Sequence, residues 1–257
     1  SPDRRQPRIY VTIVNDEPFL PQPEVHLKEK THEFEIGLSI LKNISKDNVN
    51  VGISENNAFA TGYPRLNVSH RLKGGYPANN PAVFVYYNKT SQEENNAWYI
   101  KGQDVIRLGS LYKTGRYPIE RVVTIGGSKV TEPTHILARE GVAFETLLDG
   151  ACPEHVRYIA GGVLTGRKSN KEGFLGYQEY GLNVIEEGAH NNEILYFARP
   201  GINKHSFSKT FISSLIKKKS YDMDTSLNGG DRACINCGEC PKVCPTHVLP
   251  QVLMKTI

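Results

Sequence analysis

Four of the five cysteines lie close together near the end of the sequence, in the pattern Cys234-x2-Cys237-x2-Cys240-x3-Cys244-Pro245. Two-residue gaps let a tightly turning backbone present successive thiolates to one compact cluster of iron and sulfide. Zinc motifs usually separate two short pairs of ligands by roughly a dozen residues or more, so structural zinc is the weaker alternative. The pattern therefore predicts a 4Fe-4S cluster with Cys234, Cys237, Cys240 and Cys244 as metal ligands.

The role of the fourth cysteine is open at this point. In bacterial cysteine runs of this kind the fourth thiolate typically ligates the second cluster of a two-cluster protein, and only one run is present here. Cys244 or the remote Cys152 could instead complete a single cluster. Because Cys152 stands alone before Pro153, we interpret it as a loop or half-buried thiol and leave it out of the ligand set.

Length and composition indicate a globular chain. Its 257 residues can bury a large core, and the hydrophobic fraction is 39%. No apolar run approaches the roughly 18 residues of a membrane-spanning helix, so we expect a soluble protein in a reducing, cytosolic compartment. The net charge of +4 is spread widely, which argues against nucleic acid as a partner. The first residues have neither a start methionine nor the apolar core of a signal peptide, so we expect an excised fragment.

The first half of the sequence alternates between strand and helix patterns. Apolar runs at Arg8–Val14 and Val49–Ile53 predict strands, and the apolar stretch between them, Phe34–Leu41, predicts a helix. A third strand is predicted at Pro81–Tyr87 and a helix at Gly102–Tyr112. Residues 1–118 are therefore expected to form an α/β domain with a mostly parallel sheet.

The pattern of apolar residues and of Gly and Pro changes after about residue 119. Short apolar runs separated by Gly and Pro predict a small mixed β-domain over 119–200. One short helix is predicted at Val142–Leu148. The predicted strands are Val122–Ile125, Thr134–Ala138, Arg157–Ala160 and Glu193–Ala198. Residues 201–257 are expected to be helical around Lys209–Ile216 and loop-like into the cysteines.

Other candidate sites are weaker. The sequence has no G-x-G-x-x-G fingerprint and no P-loop, so the glycines of Lys73–Pro81 and Gly161–Gly166 are interpreted as turns. His26 and His32 are expected on the surface. His247 could bond near the cluster, although a solvent-facing position is favoured.

Several stretches of the sequence resemble the A subunit of the bacterial sodium-translocating NADH:quinone reductase, over the C-terminal two-thirds of that family. They are Ala97–Ile106, Leu111–Gly115, Arg121–Thr124, Gly162–Gly166, Phe174–Tyr177 and Arg199–Phe211. The family is related to the C subunit of the Rnf complex and to the flavin-binding subunit of complex I. The resemblance implies a Rossmann-like parallel-sheet domain, a small β-grasp domain of the soluble-ligand-binding type and a helical C-terminal segment.

The resemblance also implies a function. The expected role is a peripheral redox subunit on the cytoplasmic side of the bacterial inner membrane, with the other reductase subunits and quinone as partners and quinone reduction coupled to sodium export. The sequence contains neither a flavin-binding nor an NAD-binding motif, so no residue is assigned to either cofactor. Familiar members lack this cysteine set, so two alternatives stand: the C subunit of an Rnf-type complex, or a non-redox scaffold subunit with a structural metal.

Overall fold

The computed structural model describes residues 7–13, 17–55, 57, 63–151, 153–188, 215–216, 225 and 236–256. A four-stranded sheet organises the first half of the chain. Its strands are β1 (Ile9–Thr12), β2 (Val49–Ser54), β3 (His70–Leu72) and β4 (Trp98–Lys101), in the order β3-β2-β1-β4. Each neighbouring pair is parallel, which confirms the predicted parallel sheet.

Helices cover this sheet: α1 (Pro23–His26), α2 (Thr31–Ser45), α3 (Pro81–Asn88) and α4 (Gly102–Thr114). The helices predicted around Phe34–Leu41 and at Gly102–Tyr112 are thereby confirmed as α2 and α4. Phe34 and Leu38 of α2 and Val105 of α4 are buried with the apolar residues of β1 and β2. This shared core places α2 and α4 side by side on one face of the sheet.

The prediction of a strand at Pro81–Tyr87 is wrong, because this segment forms helix α3. Its β-branched and aromatic composition favours a strand. The helix begins there because the Asn80 side chain accepts a hydrogen bond from the Ala82 amide at 2.9 Å, and because Pro81 suits the first helical position. Only Val83 and Phe84 are buried, so α3 lies on the sheet instead of joining it.

A second, five-stranded sheet follows. It consists of β5 (Glu120–Gly126), β6 (Thr134–Arg139), β7 (Val156–Ala160), β8 (Arg167–Ser169) and β9 (Gly181–Glu186), in the order β6-β5-β9-β7-β8, with the short helix α5 (Phe144–Leu147) after β6. The pairing of β5 with β9 is parallel and the other pairings are antiparallel. The predicted strands that match β5, β6 and β7 and the predicted helix that matches α5 are confirmed.

Two strands of this sheet, β8 and β9, were not predicted. The predicted strand Glu193–Ala198 and all but the last two residues of the predicted helix Lys209–Ile216 lie outside the described residues. The core of the second sheet contains Val123, Phe144, Leu182 and Val184.

Helix α4 connects the two sheets. The Gln103 side chain donates to the Val122 carbonyl and accepts from the Val122 amide, both at 3.0 Å, so it pairs with β5 as a neighbouring strand would. The Arg107 guanidinium donates to the Pro118 carbonyl at 3.2 Å. The helix thus continues directly from β4 of the first sheet, and buried hydrogen bonds attach it to β5 and to the segment before β5.

The cysteine-containing segment lies against α3. It includes α6 (Glu239–Val243) and α7 (Pro250–Thr256). The Tyr87 hydroxyl donates to the Pro245 carbonyl at 2.6 Å, and the rings of Tyr86 and His247 lie 6.5 Å apart. The described part of this segment is therefore next to the parallel sheet's covering helix.

Candidate functional site

A cleft lies at the carboxyl edge of the parallel sheet. The chain passes from β1 to β2 on one side and later returns to β4 on the other side, so the strand order reverses between β1 and β4. In open α/β sheets, ligands bind outside the carboxyl ends of the strands at this kind of reversal. Thr12 ends β1, Lys101 ends β4, and both line a cavity of about 250 Å³.

The opposite wall of the cleft comes from the second sheet. The turn Gly161–Gly166 joins β7 to β8, as the sequence predicted, and the Gly166 amide donates to the Gly162 carbonyl at 2.8 Å. A Cβ atom on Gly166 would lie 2.4 Å from that carbonyl oxygen, so this turn needs glycine. The turn lines the cavity with three glycines and with Thr165.

Glu17 fastens the two walls together. Its carboxylate accepts hydrogen bonds from the Leu164 amide and, each at 2.8 Å, from the Thr165 amide and the Thr165 hydroxyl. A Cβ atom on Gly162 would lie 2.0 Å from the Glu17 carboxyl carbon, so only glycine admits the carboxylate at this distance. A charged acceptor with three donors is strongly stabilised in a partly buried position.

Lys101 brings a cation into the cleft. It is half-buried, and its Nζ lies 4.6 Å from the centroid of the Tyr180 ring. Burial lowers the pKa of Lys101 from its usual value, and the carboxylates of Asp104 and Glu17 partly offset that effect.

A charged network lies behind Lys101. The Tyr180 hydroxyl donates to Asp104 Oδ2 at 2.5 Å, and Arg107 lies 3.2 Å from the other oxygen of that carboxylate. Glu140 forms ion pairs with Arg107 at 2.5 Å and with Arg121 at 2.6 Å. Burial, followed by the charge of Asp104, raises the pKa of Tyr180, so its phenol remains protonated and acts as a donor.

The predicted metal ligands are only partly described. Cys237 and Cys240 are exposed and Cys244 is half-buried, whereas Cys234 and Cys152 lie outside the described residues. The turn before α6 contains two left-handed residues, Asn236 and Gly238. Within the part of the chain that the structure describes, no three His, Cys, Asp or Glu side chains come together as a metal site.

The Cys244 sulfur has polar neighbours. It lies 3.6 Å from the Thr246 hydroxyl. Hydrogen bonds from that hydroxyl, and from the backbone amides of Thr246 and Val248, hold the pKa of the Cys244 thiol below its usual value. These donors stabilise the thiolate, which is the form that binds metal, more than water does around an ordinary cysteine.

The histidines divide between surface and core. His32 and His247 are exposed, as the sequence predicted. His26 is buried with 5% of its surface exposed, so its predicted surface position is wrong. His26 is buried because the short helix α1 places its ring against the start of α4. A Cβ atom on Gly102 would lie 3.5 Å from the His26 Nε2 atom.

Sequence reasoning missed Glu17, Lys101 and Tyr180. Lys101 had one usable signal, since a polar residue at the carboxyl end of a parallel strand is a frequent ligand contact. That signal was hidden because the third predicted strand was placed at Pro81–Tyr87 instead of at β4. Glu17 and Tyr180 carried no pattern of their own.

None of the helices in the described ranges is both long and apolar enough to cross a membrane.

The chain is similar to the NqrA protein family in two adjoining regions. A family model of the NqrA second alpha/beta domain matches residues 1–117, and a model of the NqrA C-terminal domain matches residues 122–171. The boundary between the two matches falls between α4 and β5.

Similar curated proteins are named as the A subunit of the Na(+)-translocating NADH-quinone reductase. The protein from Marinomonas sp. (strain MWYL1) is 30% identical, and the match covers 97% of this chain and 56% of the relative. The protein from Cellvibrio japonicus is 32% identical over 100% of this chain and 58% of the relative, and that from Vibrio atlanticus is 31% identical over 99% and 57%. The chain thus spans somewhat more than half the length of these relatives.

A solved structure shares the fold. A crystal structure of an NAD+-reducing NiFe-hydrogenase in the H2-reduced state superposes with a TM-score of 0.52 at 11% identity, covering 72% of this chain and 41% of that chain. At this identity the likeness concerns the arrangement of helices and strands alone. The two domain matches and the curated relatives, in contrast, show that the chain belongs to the NqrA family.

Proposed function

We propose that this chain forms part of a peripheral redox subunit of a sodium-translocating NADH:quinone reductase. The observation that carries the proposal is the match of both sheets to NqrA domains, together with relatives that bear this enzyme's name. The proposed partners are the other subunits of the membrane complex, and the proposed final electron acceptor is a quinone. The proposed location is the cytoplasmic side of the bacterial inner membrane.

The domain division proposed from the sequence is 1–118, 119–200 and 201–257. The first unit is proposed to be Rossmann-like, which its parallel sheet and covering helices support. The second is proposed to be a β-grasp domain of the soluble-ligand-binding type. Its support is the sheet order β6-β5-β9-β7-β8, in which the first and last strands of the domain are parallel neighbours at the centre.

A further part of the proposal is a 4Fe-4S cluster held by Cys234, Cys237, Cys240 and Cys244. Three observations fit such a group: the close succession of the thiols, the exposure of Cys237 and Cys240, and the donors around the Cys244 sulfur. When bound, the cluster would supply one-electron transfer.

The chain's own groups have distinct tasks in this proposal. The cysteine thiolates bind iron, and the Thr246 hydroxyl and amide donate to the Cys244 sulfur. Donors to sulfur stabilise the more negative, reduced form of a cluster and raise its potential. Tyr87 holds the segment against α3 through Pro245.

The cluster is tested on the full chain, purified without oxygen and reconstituted with iron and sulfide. We expect about four irons and four sulfides per chain and an EPR signal after reduction with dithionite. Cys240→Ser should abolish the signal, while Cys152→Ser, a control at the cysteine outside the motif, should leave it intact. Colourless material that binds only zinc would reject the cluster and favour the scaffold with a structural metal.

Membership of the complex is tested separately. The full-length protein, affinity-tagged in its host, should retain the membrane subunits of the reductase when the membranes are solubilised in mild detergent. If the tagged protein is recovered without any membrane subunit, the assignment to the complex fails, whatever the outcome for the cluster.

A further inference from the structure

The ammonium group of Lys101 faces the cleft without an ionic partner among the described residues. No carboxylate oxygen of those residues lies within 4.0 Å of its Nζ, which lies instead 4.6 Å from the centroid of the Tyr180 ring. A half-buried ammonium has lost part of its hydration, and such groups are normally paired. Lys101 therefore has capacity for an anion.

The nearby carboxylates are engaged elsewhere. Asp104 holds Tyr180 and Arg107, and Glu140 lies between Arg107 and Arg121. The Glu17 carboxylate is held by three donors of the turn Gly161–Gly166. Each carboxylate near Lys101 is therefore occupied by other donors, which leaves the Lys101 ammonium available to an anion in the cavity.

The cavity limits the size of such a ligand. Its volume of about 250 Å³ exceeds the roughly 150 Å³ that accommodates a benzene ring in an engineered cavity, and it lies below the range of about 300–1,000 Å³ for drug-sized ligands. Tyr76, Pro77 and Leu20 provide apolar surface, and Thr12 and Lys101 are among the polar lining residues. The lining also contains two carboxylates that have partners of their own: Glu17 with the Thr165 amide and hydroxyl, and Glu179 with Arg167. One ring with a charged substituent fits these walls.

We propose that the cleft between the parallel sheet and the turn Gly161–Gly166 binds a small organic anion, a single ring that bears a phosphate monoester or a carboxylate, with the Lys101 ammonium as its counter-ion. This inference goes beyond the proposed function, because it requires neither a cluster nor the other subunits. The apolar walls contact the ring, and the anionic group lies against Lys101 at the carboxyl ends of β1 and β4.

The probe is pyridoxal 5′-phosphate, which is a small ring with a phosphate and an aldehyde. The Lys101 amine condenses with the aldehyde to an imine with release of water, and added borohydride supplies the hydride that converts the imine to a stable secondary amine. We expect peptide mapping of the full chain to show Lys101 as the first lysine modified. Pyridoxal, which lacks the phosphate, should modify Lys101 more slowly.

Two competitors distinguish the anionic groups. Phenyl phosphate presents a phosphate monoester on a single ring, and benzoate presents a carboxylate on the same ring. At about ten times its Kd, an occupying competitor should slow the modification of Lys101 about tenfold, and the effective compound identifies the group. The exposed Lys129, which pairs with Glu186 at 3.1 Å, is the internal reference and should show no protection.

The labelling rates of the wild-type chain are sufficient to test the proposal. Equal rates for pyridoxal and its phosphate, or failure of both phenyl phosphate and benzoate to protect, would overturn the proposal. Lys101→Met adds a second readout, because benzoate or phenyl phosphate should raise the melting temperature of the wild type and of Lys129→Met but not that of Lys101→Met. An equal rise in all three proteins would also count against the site.

Discussion

His26 is a buried imidazole whose two ring nitrogens make no well-formed hydrogen bond among the described residues. Burial lowers its pKa from 6.5 to about 4; the Gln22 backbone opposes this shift weakly, and His135 adds a smaller repulsion of the charged form. In the unfolded chain the same group takes up a proton near pH 6.5. Acid therefore favours unfolding, because the unfolded state binds this proton at a pH where the folded state does not.

The stability should fall as the pH drops from 6.5 towards 4. Between pH 7.5 and pH 5 the loss from this one group is about 2 kcal/mol in the free energy of unfolding. His26→Leu should remove that part of the loss and should not lower stability at pH 7.5, since it removes two buried polar atoms that lack well-formed hydrogen bonds. Urea denaturation at the two pH values measures both effects.

His32→Leu is the matched control, because His32 is exposed. Its pH dependence should equal that of the wild type. If His26→Leu kept the full wild-type loss at pH 5, the buried imidazole would not be the acid-sensitive group.

Single residues also show what the sequence can reveal about a site. The spacing of the cysteines is local, so a ligand set could be predicted from it directly. Glu17 and Leu164 are separated by 147 positions, and their hydrogen bond exists only because the second sheet folds back on the loop after β1. No local pattern contains such a contact, which is why Glu17 escaped prediction.

Among the elements, α2 and α4 make the closest helix contact described. A Cβ on Gly109 would lie 1.8 Å from the Glu33 carbonyl oxygen, and one on Gly37 would lie 2.1 Å from the Val105 carbonyl oxygen. The two backbones therefore touch where these glycines meet. Glycine costs helix propensity at both places, and close packing compensates for it.

Gly109→Ala should destabilise the protein although alanine is the better helix former. Overpacking costs about 1–3 kcal/mol or more, which outweighs a propensity gain of about 1 kcal/mol. Thermal unfolding followed by circular dichroism measures the change. Ser39→Ala, on the exposed side of α2, is the control and should leave stability unchanged or slightly raised. A Gly109→Ala protein as stable as Ser39→Ala would refute the close contact.

The elements also show where sequence patterns mislead. Helix α2 was predicted from a long apolar stretch with few helix breakers, and α4 was predicted because its apolar residues can share one face. The segment Pro81–Tyr87 was predicted as a strand from composition, whereas the pair Asn80-Pro81 carried the correct helix-start signal. Strands β3 and β4 have three and four residues, too few for an alternating pattern to emerge.

At the scale of the whole molecule, the two sheets are joined by α4 on one side and by Glu17 on the other. The Glu17 contact depends on a carboxylate that receives three donors from the second sheet. Because both partners lie at the interface of the sheets, this contact should control how firmly the sheets are held together.

Glu17→Gln should weaken this attachment, because a neutral amide accepts more weakly and brings two donors into a site of donors. The expected loss is about 1–3 kcal/mol in the free energy of unfolding, with faster hydrogen exchange at the amides of Leu164 and Thr165. Glu24→Gln, at an exposed carboxylate, should change neither quantity. Unchanged exchange at both amides in Glu17→Gln would contradict the assigned role.

The order of strands in both sheets required the structure. Hydrophobic patterns predicted a parallel sheet followed by a small mixed β-domain, and both are present. They could not place β9 between β5 and β7, because pairing between distant strands depends on packing of the whole core.

The junction of β4 and α4 has a mechanical consequence. Strand β4 ends at Lys101 and α4 begins at Gly102, so no flexible connector separates sheet from helix. Helix α4 is in turn clamped to the second sheet by Gln103 and Arg107. If one sheet tilted relative to the other, α4 would move with the second sheet. The Lys101 ammonium, which lies directly before α4, would then shift within the cleft.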